Sequence, residues 1–91
     1  MKTLFELGQI VATPGALKAL EESGQSALPF LARHAACDWG DVDAEDRRSN
    51  NRAVSEGTRI LSAYSLPGGW RLWIITEADR SATTLLLPEE Y

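Results

Sequence analysis

Residues 34–46, HAACDWGDVDAED, hold the chain's one histidine, its one cysteine, one of its three tryptophans and a run of acidic side chains. His34 and Cys37 stand three apart, a spacing that brings two side chains to one side of a helix, with Asp38 and Asp41 near enough to add oxygen ligands. A closed zinc site takes four ligands dominated by Cys and His, and the chain has no second residue of either type. Asp41, Asp43 and Glu45 match the first three ligand positions of an EF-hand loop. Asp46 stands where the turn glycine belongs, however, and Arg52 where the bidentate glutamate belongs. As a thiolate–imidazole pair, Cys37 and His34 would also need an orienting group, an oxyanion hole and a cleft, for which a core of this size has little room. The segment is therefore expected to be scaffolding: a packed imidazole and thiol at the end of a helix, a bend through Asp38, Gly40 and Asp41, then Asp43, Glu45 and Asp46 at the positive end of the next helix. No catalytic residue, metal ligand or cofactor is assigned.

Two other sets carry polar chemistry. Glu77, Asp79 and Arg80 crowd the last predicted hairpin loop, followed by Ser81, Thr83 and Thr84, and paired carboxylates beside an arginine occur in acid/base sites. The same residues are ordinary at a hairpin tip, where Asp bonds its own backbone and charges keep the sheet end soluble. Arg47, Arg48 and Arg52, with Asn50 and Asn51, form the one basic patch. Acids lie immediately upstream and no aromatics are interleaved, so the patch reads as a solvated helix face rather than a nucleic-acid site.

The elements that must position these residues follow from pattern and punctuation. Leu7–Ala12 is a short run rich in β-branched residues and reads as a first strand. Thr13 caps a helix with Pro14 at its first position and Gly24 at its stop, spanning Pro14 to Ser23. Ser26 caps a second helix, with Leu28, Leu31, Ala32 and Ala35 on one face and Phe30, His34 and Cys37 on another. Asp43 caps a third, mostly polar helix, AEDRRSNNRAVSE, that ends at Gly57. TRILSAYSL, WRLWIITEA and SATTLLLP then read as a three-stranded antiparallel meander. In the middle run Trp70, Leu72 and Ile74 share one face while Trp73 and Ile75 share the other, as in a strand covered on both sides. The expected fold class is α+β: an N-terminal strand, two or three helices and the meander, with the helices packed on the sheet in a single domain over residues 1–91.

Length and composition narrow the function. With 91 residues, 44% hydrophobic and 24% charged, the chain is of average globular make-up, and its core is thin. One cysteine permits no internal disulfide, which points to a reducing, cytoplasmic setting. Glu6, Gln9 and Pro14 interrupt the N-terminal apolar run before it reaches signal-peptide or membrane-spanning length. A net charge of -4 gives no field to draw in a phosphate backbone. Nucleic-acid and membrane partners are disfavoured, and a protein partner is expected.

The segment RILSAYSLPGGWRLWIITEADRSATTLLLPEEY, Arg59 to Tyr91, resembles a family of short uncharacterised bacterial proteins carried on plasmids and other mobile elements, some labelled restriction-associated. LWIITEADRSATTLLLP is its most specific part, and the likeness extends more loosely through FLARHAACDWGD. The resemblance implies a mobile-element or defence setting and transfers no functional residue. Neither GxGxxG nor a phosphate-binding loop is present. The element order is also similar to that of the RelE and ParE toxins, a fold-level analogy in which Arg59, Arg71, Arg80, Tyr64 and Tyr91 would be the counterparts of RNA-facing side chains.

The expectation from the residues is thus a small, non-catalytic protein-binding or regulatory module, with Trp73, Ile75 and Trp39 as its interaction face and a homodimer through that face as one form of cover. The alternatives are a toxin-type protein acting on RNA or on a protein target, and a polar site at Glu77, Asp79 and Arg80.

Overall fold

The computed structural model describes residues 3–91. It contains β1 (Gln9–Ala12), α1 (Pro14–Ser23), α2 (Ala27–Ala35), α3 (Ala44–Glu56), β2 (Ile60–Ser65), β3 (Arg71–Thr76) and β4 (Ala82–Leu86), closed by a short 3-10 turn over Pro88–Glu90. The fold is α+β, as the pattern predicts. The sheet is four-stranded and mixed, ordered β1-β4-β3-β2, rather than a three-stranded meander with a separate first strand. The last three strands pair antiparallel in chain order, and β1 adds itself parallel to β4. Pairing between elements this distant in sequence leaves no local mark, so the run of residues 7–12 announces a strand but not its neighbour.

Helix ends follow their punctuation. Thr13 Oγ1 accepts from Ala16 N at 3.1 Å and Asp43 Oδ1 from Asp46 N at 2.8 Å, while Gly24 and Gly57 close α1 and α3 in the left-handed conformation. In α2, Ser26 occupies the cap position without a side-chain bond. The face that α2 buries also differs from the predicted one: Phe30, Leu31, His34 and Ala35 are interior, whereas Leu28 is 65% exposed. The rows 30/34 and 31/35 adjoin on the helix surface, and the sheet takes the seam between them. Cys37 departs from expectation too. The helix ends before it, its φ is +65°, and its thiol is half-buried rather than interior.

Registers fix which residues share a face. Ile60, Ser62 and Tyr64 of β2 lie beside Thr76, Ile74 and Leu72 of β3, and Thr83 and Leu85 of β4 continue the row. This face carries the main core, where Ala16, Ala19 and Leu20 of α1 and Phe30 and Leu31 of α2 meet Tyr64, Leu72, Ile74 and Leu85. A second cluster, Phe5, Trp39, Ala53 and Ile60, seals the end near α3. The opposite face presents Leu61, Ala63, Arg71, Trp73, Ile75 and Leu86, whose side chains alternate with those above.

The β2 edge is closed by the chain itself. The Asn50 side chain, 4% exposed on otherwise polar α3, donates to Leu61 O at 2.7 Å and accepts from Leu61 N at 3.2 Å. One step further, Asp41 N donates to Ala63 O at 2.7 Å and Ala63 N to Trp39 O at 3.0 Å. Gly40 makes that approach possible: its φ is +74°, and a Cβ there would collide with Ala63 O. After β4 the chain returns over the sheet. Glu90 accepts from Thr13 Oγ1 at 2.6 Å, Gly15 N at 3.2 Å and Leu87 N at 2.8 Å, holding its carboxyl below the usual range through the Thr13 bond first. The ring of Tyr91 meets Trp73 edge-on at 5.8 Å.

Candidate functional site

The residues that look most reactive in the sequence are the most thoroughly enclosed. His34 is fully buried, with Nδ1 2.5 Å from Ser62 Oγ and Nε2 2.8 Å from Thr76 Oγ1. Thr76 Oγ1 lies 2.8 Å from Thr83 Oγ1, which donates to Leu7 O at 2.7 Å. A carbonyl only accepts, so that last bond sets the direction of the chain as far as Nε2. Thr83 spends its proton on Leu7, Thr76 donates to Thr83, and His34 donates to Thr76 from Nε2. Burial pushes the imidazole pKa down to about 4, so the ring is neutral with its proton on Nε2, and Nδ1 accepts from Ser62. Phe5 and Trp39 pack edge-on against the ring at 5.4 and 5.8 Å. A hydroxyl donating to an imidazole has the outline of a nucleophile and its base, yet no substrate reaches Ser62, which is also fully buried.

The rest of that segment is a bend, as predicted. Asp38 pairs with Arg33 at 2.7 Å between half-exposed side chains, and this bond draws the Asp38 carboxyl below the usual range. Tyr64 donates its phenol to Asp38 O at 2.7 Å, and burial raises its pKa to about 12. Burial also raises the Cys37 thiol, leaving it less ionised than a free cysteine, and both imidazole nitrogens are already engaged with hydroxyls.

Glu77, Asp79 and Arg80 do share the β3–β4 loop, but their side chains do not converge on a common point. Arg80, in left-handed conformation at φ +61°, turns its guanidinium inward. It donates to Thr58 O at 2.7 Å, Glu77 O at 3.1 Å and Ala53 O at 2.7 Å, and lies over the Phe5 ring. It thus adds a second bond to the Ala53 carbonyl, which already accepts from Gly57 N, and ties α3 to the loop. Asp79 accepts from Ser81 N at 3.0 Å in a turn of its own backbone, and Glu77 is exposed. The basic residues Arg47, Arg48 and Arg52 lie on exposed parts of α3. A depression there is lined by Arg48, Asn51, Arg52 and Ser55, all from that one helix at i, i+3, i+4 and i+7, so it is the relief of an exposed helix face.

Of the aromatic and apolar residues singled out as an interaction face, Trp39 is 3% and Ile75 4% exposed. Trp39 donates its indole N–H to Asn51 Oδ1 at 2.9 Å. Trp73 alone keeps accessible surface. It lines a groove of about 400 Å³ on the sheet face opposite the main core, together with Leu61, Ala63 and Arg71 from the strands. Asp41, Val42, Asp43 and Asp46 line its other wall, and Pro88 of the closing turn completes it. Asp41 accepts from Ser65 Oγ at 2.7 Å, which fixes one of these carboxylates in place. The acids were legible as helix-end and turn residues. That their outer sides border Trp73 was not, because it depends on Asp41 and Trp39 docking onto the β2 edge.

Comparison with protein-family models, with curated proteins and with solved structures finds no match for this chain. The groove is read from its own geometry.

Proposed function

We propose that the chain is a small non-catalytic protein-binding module, of the regulatory kind associated with mobile elements or defence systems, and that it docks a basic segment of its partner beside Trp73. The observation that carries this reading is the setting of an accessible indole against Asp41, Asp43 and Asp46. Among the described residues none of these carboxylates forms an ion pair. A lysine or arginine laid over the indole face gains cation–π attraction of about 0.5–2 kcal/mol and places its charge among the carboxylates. The α3 N-terminus offsets roughly half an elementary charge of that acidity, which leaves the wall net negative. The overall charge of -4 steers a cationic partner toward the molecule at low salt. Arg71 lies in the same groove, so the segment that fits has its basic side chains toward the aspartates and a neutral or acidic position toward Arg71.

The toxin-type alternative has less to stand on. Tyr64 and Arg80, two of its five residues, are committed to backbone carbonyls, and Tyr64 is 1% exposed. Arg59 lies over the Tyr91 ring at 5.3 Å and Arg71 borders the aspartates, which does not make a basic surface for RNA.

Isothermal titration with a tetra-arginine peptide, against tetra-glutamate, tests the proposal. Binding of the first alone is expected, weakening with salt and lost in Trp73→Ala. Absence of tetra-arginine binding at millimolar peptide, or binding indifferent to Trp73→Ala, overturns it.

A further inference from the structure

The two edges of the sheet are treated differently. At β2 every outward backbone group between Leu61 and Ala63 finds a partner in Asn50, Trp39 or Asp41. At β1 the pairing with β4 uses Gln9 N, which donates to Ser81 O at 3.0 Å, and Thr13 N, which donates to Leu85 O at 3.0 Å. In a parallel ladder alternate residues face the partner strand, so the N–H and C=O groups of Ile10 and Ala12 point away from the sheet. Among the described residues no hydrogen bond engages these groups; Ile10 is 46% and Val11 41% exposed, while Ala12 is half-buried against the main core.

Natural edge strands are guarded by shortness, charges, prolines or bulges, and of these β1 has only its length of four residues. No charged residue stands between Glu6 and Lys18, and the first proline, Pro14, lies beyond the strand. A chain that carries net negative charge thus leaves a neutral, apolar edge at one place on its sheet.

We infer that β1 is the seam of a homodimer, in which two copies pair their β1 strands antiparallel about a two-fold axis and join two four-stranded sheets into one of eight strands. The register follows from the residues. Two outward-facing positions, Ile10 and Ala12, flank Val11, so an axis through Val11 sets Ile10 of each copy opposite Ala12 of the other. Each of those two pairs exchanges both of its backbone bonds, the most this edge can form. Val11 then faces its own copy in the central non-hydrogen-bonded pair, where Cα atoms are about 4.5 Å apart and side chains lie closest. An isologous contact of this kind closes on itself and leaves only the two self-covered β2 edges outside. A four-residue seam falls short of the roughly 1,200 Å² of a standard interface, so the dimer is concentration-dependent.

Sedimentation equilibrium from micromolar to millimolar protein reads the assembly. The expected result is a rise toward twice the 10.0 kDa chain mass. Ile10→Pro removes only the outward N–H, which an edge strand tolerates, and raises the dissociation constant about tenfold or more. Leu28→Lys places a charge at a still more exposed apolar residue on α2 and leaves the dimer intact. The register is read separately in a Cys37→Ser background: Val11→Cys oxidises to a covalent dimer, because a central pair meets disulfide geometry, and Gln9→Cys does not. A monomer throughout the range overturns the proposal. So does a dimer that Leu28→Lys dissociates while Ile10→Pro does not, or one cross-linked through Gln9→Cys and not Val11→Cys.

Discussion

The interior around His34 and the groove beside Trp73 are built on opposite faces of the same two strands. Ser62 and Thr76 turn one way, to the imidazole, and their neighbours Ala63 and Trp73 turn the other. The first region has what a catalytic site is made of: a hydroxyl, a base, an ordered line of hydrogen bonds. It has no access. The second region is open, and it is lined by an indole, an arginine and three carboxylates. Residue type alone therefore does not mark an accessible site here, and accessibility separates the polar network of the core from the polar surface that can meet another molecule.

The comparison breaks most easily at His34. Replacing it with leucine leaves the Ser62 and Thr76 hydroxyls buried without their imidazole partner and changes the shape of a fully packed site. A loss of about 3–5 kcal/mol in urea unfolding is expected, with tetra-arginine binding by the folded fraction unchanged. A loss under about 1 kcal/mol would mean that the network contributes little and that its enclosure is incidental.

The same residue gives the next largest effect, through pH. The folded protein holds His34 at about 4, below the usual 6.5, so between those values the unfolded chain binds more protons and stability rises with pH. The contribution is complete above about pH 6.5 and is lost as pH falls through 4, for a total of about 3 kcal/mol. Asp38, Asp79 and Glu90 are lowered carboxyls, whose contributions are lost only as they protonate below their ordinary values of 3.8 to 4.5. Chemical unfolding between pH 5 and 6.5 therefore isolates the histidine. A flat profile in that window, or the same slope in His34→Leu, would break the account of a neutral, sealed imidazole.

What could be read in advance was whatever is written locally. Thr13, Gly24, Asp43 and Gly57 mark their helix ends because capping involves residues within one turn. His34 was legible as packed from Phe30 one turn away, but its partners are 28 and 42 residues distant and no pattern names them. Asn50 was hidden altogether, a buried amide in a helix whose composition says solvent, because its role exists only when β2 lies alongside. Arg80 was misleading for the converse reason: its loop advertises a charged tip, while its guanidinium serves carbonyls belonging to residues 53 and 58. The parallel pairing of β1 likewise rests on a distant strand, with Gln9 registered against Ala82.

Those two hidden roles supply intermediate effects. Asn50→Ala removes both bonds to Leu61 and leaves its backbone groups to water, for a loss of about 2 kcal/mol and faster amide exchange at Leu61. Arg80→Met keeps much of the stem over Phe5 and gives up the carbonyl bonds, for about 1–2 kcal/mol. Neither is expected to alter tetra-arginine binding. Weakened binding in Arg80→Met without loss of stability would move the site to the β3–β4 loop.

The smallest stability effect gives the sharpest test of the groove. Glu45 and Asp46 both sit in the first turn of α3, where each carboxylate is favoured by the helix N-terminus to a similar degree, about 0.3–1 kcal/mol. Only Asp46 lines the groove with Trp73. Glu45→Gln and Asp46→Asn should therefore lower the melting temperature by nearly the same small amount and change the protein's net charge equally, so that long-range attraction is matched. If the groove binds cations by contact, Asp46→Asn weakens tetra-arginine about threefold or more and Glu45→Gln does not, a gap that closes as salt screens the aspartate wall. Equal weakening by the two would show that the peptide is held by overall charge alone, and Trp73 would then be a half-buried tryptophan with acids nearby rather than the centre of a site.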